Sequence, residues 1–214
     1  MSRLCVLPIV EGHGENASVR ILLERIGSEI LQADHIEVLR PLRWPKTKLL
    51  RNHELERAVA LAHLKLAAQA SPDHPLILIL LDADEDLPCK LGPRLLANAR
   101  RARSDTDIMC VIANVEYETW FVAAAESLVK KGRLRMEEGE LPPARPEESR
   151  SGEAWLRKHF VGIRYSKTVD QPALTWDMDL AACRRRSPSF DKLCRDLQAA
   201  LVRAEAGSQH GDAV

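Results

Sequence analysis

Four segments of the chain have the apolar character of β-strands. Residues 4–10, 76–81 and 108–113 are continuous apolar runs, as expected for strands buried on both faces, whereas residues 35–39 alternate apolar and polar positions. Between and after these segments, apolar residues recur at intervals of three and four. That spacing predicts helices over residues 16–31, 53–70, 95–103 and 118–131.

The alternation of strands and helices predicts an α/β fold of the Rossmann-like type. A mainly parallel central sheet with helices on both faces makes a three-layer sandwich. We predict an α/β core over residues 1–131, a polar linker over 132–152, a helical extension over 153–206 that packs on the core, and a disordered tail over 207–214.

The last predicted helix begins near Ser187 and Pro188 and carries an apolar stripe. The stripe consists of Phe190, Leu193, Leu197 and Leu201. Such a stripe is typical of a helix that packs on its own core, and a surface for a partner protein is the alternative.

The composition is ordinary for a globular protein, at 45% hydrophobic and 29% charged residues. No apolar run approaches the roughly 18 residues that span a bilayer, so we expect no membrane insertion. Five scattered cysteines, none in a Cys-x-x-Cys pair, favour a reducing compartment, and we expect the cytoplasm.

Charge is balanced overall but not locally. The chain has 31 basic and 31 acidic residues, so bulk charge gives no indication of a polyanionic partner. Residues 40–51, however, contain five basic residues and no acid, among them Arg43, Lys46 and Lys48. Such a run is typical of a solvated loop, and a strip that contacts phosphate is the alternative.

Carboxylates follow three of the apolar runs at the point where each run ends. They are Glu11 and Glu15 after the first, Asp82 and Asp84 after the third, and Glu116 and Glu118 after the fourth. Ligands of open α/β sheets bind outside the carboxyl ends of the strands, so we expect these side chains to lie at one edge.

The joint occurrence of these acids predicts a metal site. Each acid alone fits a turn, a helix start or a surface charge, but crowded carboxylates are unfavourable unless protons or a cation neutralise them. Oxygen ligands without a nearby Cys or His pair favour Mg²⁺ or Mn²⁺. Asp82 and Asp84 can share an ion if the extended backbone persists between them.

Two further residues are candidates for substrate contact. His13 lies between Gly12 and Gly14, in a turn that a ligand can approach closely. Lys167 follows Tyr165 and Ser166 and can reach a phosphate, with solvated surface as the alternative. Gly-x-Ser-x-Gly, Walker A and His-Glu-x-x-His motifs are absent.

Five segments together resemble a known family. They read VEGHGE at 10–15, LLDADED at 80–86, NVEYETWFVA at 114–123, YSKTVDQPAL at 165–174 and SPSF at 187–190. The first two resemble the signature of the Toprim domain, which topoisomerases, primases and the overcoming-lysogenization-defect nucleases share. The whole chain resembles the bacterial domain-of-unknown-function family 4276 within that group.

The resemblance implies a Toprim-like core whose Asp82 and Asp84 bind Mg²⁺. Glu11 would act in general acid/base catalysis or as a further ligand, and Glu15 would correspond to the second acid of the nuclease-type motif. Glu116 or Glu118 would complete a second metal position. Two ions about 4 Å apart would activate water for attack on a phosphodiester.

The predicted function is therefore a Mg²⁺-dependent nuclease, with a role as an effector in bacterial defence. Two alternatives stay open. One is a non-catalytic module that binds an ATPase partner, and the other is a phosphatase-like enzyme that acts on small phosphorylated substrates. Arg43, Lys46, Lys48 and Arg51 would form the path for nucleic acid.

Overall fold

A five-stranded parallel sheet forms the centre of the computed structural model, which describes residues 3–33, 35–51, 53–69, 74–149 and 151–211, with side chains to 206. The strands are β1 (Leu4–Val10), β2 (Ile36–Val38), β3 (Leu42–Arg43), β4 (His74–Asp82) and β5 (Asp107–Ala113). Their order is β2-β1-β4-β5, and β3 pairs with the end of β1 beyond β2.

Ten α-helices are described around this sheet. They are α1 (His13–Arg25), α2 (Lys46–Leu49), α3 (Glu54–Ala67), α4 (Pro88–Ala102), α5 (Glu118–Ala123), α6 (Ala125–Lys130), α7 (Gly152–His159), α8 (Lys167–Asp177), α9 (Leu180–Arg186) and α10 (Pro188–Gly211). A π-helical segment, Ile26–Leu31, continues α1, and a 3₁₀ turn, Pro146–Glu148, precedes α7.

Alternate residues of each strand supply two separate apolar cores. In β4, Leu76, Leu78 and Leu80 face the core shared with α1, α5, α8, α9 and α10. Their neighbours Ile77, Ile79 and Leu81 face the core shared with α3 and α4. Because both faces of the sheet are covered, its central strands are continuous apolar runs. The predicted three-layer α/β sandwich is confirmed.

The helical boundaries differ from the prediction where glycine and proline occur. We predicted a helix over 95–103, but α4 begins at Pro88 and includes Gly92 and Pro93. Pro88 occupies the first helical turn, where its missing N–H costs nothing, and Leu91 and Leu95 bury against the sheet. The stabilisation from burying apolar side chains thus outweighs the low helix propensity of Gly92 and Pro93.

The C-terminal helices share the core of α1 and α5. The stripe of α10 is buried, with Phe190, Leu193 and Leu197 at 0% exposure and Leu201 at 6%, so the stripe packs on the core and is not a free surface. The helix α10 continues to Gly211, into the predicted tail 207–214, and residues 212–214 lie outside the described residues. Among the described residues, no helix is long and apolar enough to cross a membrane.

The close approach of α7 to α5 depends on Gly152. A Cβ atom at this position would lie 2.6 Å from the backbone nitrogen of Thr119 and 2.8 Å from the carbonyl carbon of Glu118. Real Cβ atoms essentially never come so near a backbone atom, and the backbone of α5 cannot rotate away as a side chain can.

We therefore expect Gly152→Ala to lower the free energy of unfolding by about 1–3 kcal/mol through overpacking. Gly92→Ala is the matched control, because its Cβ would meet Cγ1 of Ile112 at an ordinary contact distance of 3.5 Å and alanine favours the helix. Urea denaturation measures both changes. Equal stability of the two variants would contradict this account of the α5–α7 contact.

Candidate active site

The loops that follow β4 and β5 are joined at the carboxyl edge of the sheet. The amide of Ala83 donates to the carbonyl of Ala113 at 2.9 Å, and the amide of Asp84 donates to the carbonyl of Val115 at 2.7 Å. Asp84 and Val115 have positive φ angles of 52° and 63°. Because a β-branched residue rarely adopts this conformation, the loops are held by their surroundings in a strained form.

Asp82 occupies the centre of this edge. Its Oδ1 accepts a hydrogen bond from the amide of Tyr117 at 2.8 Å. Burial, together with the nearby carboxylates of Glu15 and Glu118, raises the pKa of Asp82 well above its ordinary range. The sheet therefore holds this acid where its charged form is unfavourable unless a cation accompanies it.

Glu11 follows β1 and lies beside α2. Its carboxylate accepts a hydrogen bond from the amide of Lys46. Burial and the charge of Asp84 raise the pKa of Glu11 despite that hydrogen bond. Its Oε2 is buried and has no hydrogen-bond partner among the described residues. One carboxylate oxygen of Glu11 therefore has a hydrogen-bond donor, and the other, Oε2, has none among the described residues.

Lys46 holds Asp84 on the α2 side of the edge. Its Nζ lies 2.9 Å from Oδ2 of Asp84 and 3.0 Å from Oδ2 of Asp86. It also donates to the carbonyl of Ala83 at 2.6 Å. Burial lowers the pKa of Lys46, but the hydrogen bonds to the two aspartates outweigh it and leave the pKa raised.

The extended backbone needed for Asp82 and Asp84 to share one ion does not persist. The strand ends at Asp82, and Asp84 turns into the left-handed region. Asp84 consequently pairs with Lys46, whereas Asp82 interacts with Glu15, Glu118 and Lys167. The two aspartates lie in neighbouring but distinct surroundings.

Glu15 connects these two surroundings. It is 5% exposed, and its charge raises the pKa of both Glu11 and Asp82. Its Oε1 accepts a long hydrogen bond of 3.4 Å from Gln171 of α8, while its Oε2 is buried and finds no partner within the described ranges. Buried carboxylate oxygens are rarely left unpaired, so this atom requires an explanation.

Two glycines allow Glu15 and Gln171 to approach the end of β1. A Cβ at Gly12 would lie 2.2 Å from Oε2 of Glu15, and a Cβ at Gly14 would lie 1.7 Å from Oε1 of Gln171. The Gly-x-Gly segment thus provides room for two polar side chains at the strand end. His13 between them is exposed.

Glu118 and Lys167 form the opposite side of the edge. Glu118 is fully buried, accepts a hydrogen bond from the Tyr165 hydroxyl at 2.9 Å, and lies 3.1 Å from Nζ of Lys167. Burial raises the pKa of Glu118. Burial also opposes the charge on Lys167, but the charges of Glu118 and Asp82 outweigh it and raise the pKa of Lys167.

Glu116 interacts with α7 and Lys167. Its Oε1 accepts hydrogen bonds from the Ser151 hydroxyl and the Glu153 amide, both at 2.8 Å, at the start of α7. Its Oε2 lies 3.5 Å from Nζ of Lys167. Glu116 is therefore engaged as a helix-capping group.

Of the residues predicted to contact substrate, only some lie among the acids. Lys46 is buried against Asp84, and Lys167 is partly buried against Glu116 and Glu118. Arg43 and Lys48 are exposed on β3 and α2. The basic run is thus folded into a short strand and a helical turn, since the amide of Trp44 donates to the carbonyl of Val10 at 2.8 Å.

Sequence reasoning missed the polar contacts made by the C-terminal half. Gln171 and Tyr165 reach Glu15 and Glu118 from α8 and the segment before it. Glu147 accepts from the amide of Ser189 at 2.8 Å and from the Asn114 side chain at 3.2 Å. The signal was the polar content of the segments 165–174 and 187–190, which core packing does not require.

The carboxylate oxygens at this edge are the right type of ligand for a divalent cation, but their side chains do not form a complete set of metal ligands. Carboxylate oxygens are the ligands that Mg²⁺ and Mn²⁺ prefer, and Oε2 of Glu11 and Oε2 of Glu15 are buried with no partner among the residues described. Across the described part of the chain, however, no group of three His, Cys, Asp or Glu side chains is arranged to hold a metal ion. Lys46 and Lys167 compensate part of the negative charge instead.

Fold and site together define an α/β protein with a cluster of acids flanked by two lysines at the carboxyl edge of a parallel sheet. A family model described as "Domain of unknown function (DUF4276)" matches residues 10–198. The chain belongs to this family. No curated protein and no solved structure matches the chain.

Asp82→Asn should stabilise the metal-free protein at neutral and alkaline pH. An acid whose pKa is raised on folding binds its proton more tightly in the folded chain, so stability falls as the pH rises above the ordinary pKa of 3.8. We expect the midpoint of thermal unfolding to rise by about 2–4 °C per kcal/mol of repulsion removed, and the gain to vanish near pH 4.

Asp105→Asn is the control of opposite sign. A hydrogen bond from Arg103 lowers the pKa of Asp105, so its removal should give no stabilisation at pH 8. Thermal unfolding in EDTA between pH 4 and 8 measures both variants. A destabilised Asp82→Asn protein at pH 8 would contradict the crowding of charge at the sheet edge.

Lys167→Met should destabilise the protein, because it leaves Glu118 buried without its cation. We expect the free energy of unfolding to fall by about 2 kcal/mol at pH 8. This is less than the loss expected for a fully buried ion pair, because Lys167 is partly exposed. The loss should be smaller at pH 5 than at pH 8, because burial raises the pKa of Glu118 and a lower pH favours its neutral form. Urea denaturation at both pH values tests this, with the exposed Lys65→Met as control. A loss independent of pH would contradict it.

Proposed function

We propose that the protein is a nuclease dependent on Mg²⁺ or Mn²⁺ that hydrolyses phosphodiester bonds at the carboxyl edge of its sheet. The observation that carries the proposal is a pair of buried carboxylate oxygens, on Glu11 and Glu15, that have no partner in the described part of the chain. Asp82, whose charged form is unfavourable, lies near Glu15. The resemblance of residues 10–15 and 80–86 to the Toprim signature supports the same assignment.

The cation would be held by Glu11 and Asp82, with Glu15 and Asp84 as the neighbouring acids. When bound, it would supply Lewis-acid stabilisation of the charge that develops on the phosphate oxygens and activation of a water molecule. The same positive charge would relieve the repulsion that raises the pKa of Glu11 and of Asp82. Glu116 and Glu118 are engaged with Lys167 and are less suited to a second position.

Glu11 is the side chain best suited to move a proton. Burial and Asp84 raise its pKa, which brings the carboxyl closer to the pH at which a general acid or base operates. The amide of Lys46 fixes one carboxylate oxygen, and the other is unpaired. Glu11 therefore combines a fixed orientation with a free oxygen that can accept or return a proton.

Lys46 and Lys167 neutralise acids on opposite sides of the site. Lys46 holds Asp84 and Asp86 through two ion pairs, and Lys167 holds Glu118 and Glu116. Both ammonium groups offset the charge of acids that would otherwise repel a phosphate. Lys167 is 35% exposed and can turn an N–H toward a phosphate oxygen at the mouth of the site.

Asp82→Ala combined with Asp84→Ala should abolish metal binding and cleavage together. Calorimetry with Mn²⁺ should show at least a tenfold loss of affinity, and cleavage of supercoiled plasmid and single-stranded DNA should fall by at least about 100-fold. Glu85→Gln is the matched control, since Glu85 is exposed in the same loop. A p-nitrophenyl phosphate assay separates hydrolysis of small esters from nuclease activity.

The separate readouts distinguish the outcomes. Loss of metal binding and of DNA cleavage in the double variant, with both retained in Glu85→Gln, would support the proposal. Full cleavage activity in the double variant would overturn it. Absence of Mn²⁺ binding to the wild-type protein would also overturn it and would make the acids a structural, lysine-neutralised cluster.

A further inference from the structure

A polar cavity of about 460 Å³ lies beside α2. Its lining residues come from β3, α2 and the start of α3, and are Arg43, Trp44, Pro45, Lys48, Arg51, Glu54 and Arg57. A cavity of this volume falls in the ~300–1,000 Å³ range of small-ligand sites. We name it the α2 pocket.

The α2 pocket carries uncompensated positive charge. Four basic residues line it against a single acid, and that acid, Glu54, pairs with Arg57 at 2.6 Å. Arg43, Lys48 and Arg51 have no ion pair with any residue that the structure describes. This contrasts with Lys46 and Lys167, whose charges are matched by acids.

Trp44 lines the same cavity, but its indole Nε1 is buried and has no acceptor within the described ranges, so a ligand in the cavity does not reach that atom. The groups available to a ligand are the exposed, unpaired side chains of Arg43, Lys48 and Arg51. These three cations favour an anion as the ligand.

The pocket is tied to the acidic edge by the backbone. The amide of Trp44 donates to the carbonyl of Val10 at 2.8 Å, one residue before Glu11. Two residues on, the amide of Lys46 donates to the Glu11 carboxylate. A ligand held in the α2 pocket is thus held beside the acids by a short, hydrogen-bonded stretch of chain.

We propose that the α2 pocket is a phosphate-binding subsite that anchors a phosphate group of the substrate next to the acidic edge. Arginine presents paired N–H groups that match two oxygens of one phosphate. This inference rests on the proposed function for the identity of the substrate. The phosphate can be a terminal monoester or an internal diester of a nucleic acid strand.

Binding is tested without metal, so that it does not depend on catalysis. We expect inorganic phosphate, titrated in EDTA at low salt, to change the tryptophan fluorescence of the wild-type protein saturably, and Trp44→Phe to remove that change. Lys48→Gln with Arg51→Gln should weaken phosphate binding at least tenfold. Lys65→Gln with Arg195→Gln removes the same charge from exposed positions elsewhere and should leave it unchanged.

Oligonucleotides with a 5′-phosphate or a 5′-hydroxyl identify the source of the phosphate. Tighter binding of the phosphorylated strand, lost in Lys48→Gln/Arg51→Gln, would assign the pocket to a terminal monoester. Equal binding of both strands, with a salt dependence reduced in that variant, would assign it to the internal backbone.

Phosphate binding tests the subsite, whereas Mn²⁺ binding and cleavage test the proposed nuclease, so the two can fail separately. Equal phosphate and strand affinities in the wild type and in Lys48→Gln/Arg51→Gln would overturn the subsite, whatever the nuclease assays show. Retained phosphate binding, in a protein that binds no Mn²⁺ and cleaves nothing, would overturn only the proposed nuclease and leave the subsite established.

Discussion

The repulsion among carboxylates at one edge of the sheet determines most of the arrangement around it. Parallel strands all end on the same side, so the acids after β1, β4 and β5 are brought together by topology. Their burial raises the pKa of Asp82, Glu11 and Glu118. Lys46 on one side and Lys167 on the other lower this cost, whereas Oε2 of Glu15 between them has no hydrogen-bond partner in the part of the chain that the structure describes.

The C-terminal half completes the site as well as the core. Its helices bury Phe190, Leu193 and Leu197 in the core of α1 and α5, and the same packing brings Tyr165, Lys167 and Gln171 to the acids. Glu147 joins the segment before α7 to β5 and α10 through Asn114 and Ser189. The acidic edge therefore depends on residues more than 150 positions apart in the chain.

Periodicity predicted the parallel sandwich because both faces of the sheet are covered, which makes β1, β4 and β5 continuous apolar runs. The same topology rule placed Glu11, Asp82 and Glu118 at one edge. Three features could not be predicted from local pattern: the left-handed turn at Asp84, the burial of Lys46 and the pairing of Lys167. Each depends on a contact with a distant segment, and a basic run looks the same whether its lysines are solvated or paired.

Whether the acids act as metal ligands or only as partners of lysines is the central question. Anomalous diffraction from crystals soaked in Mn²⁺ locates an ion without any assay of activity. We expect a single strong anomalous peak between Glu11 and Asp82, with the Oε2 atoms of Glu11 and Glu15 turned toward it. Full Mn²⁺ saturation with no peak at this edge, and with the Lys46 and Lys167 ion pairs intact, would contradict it.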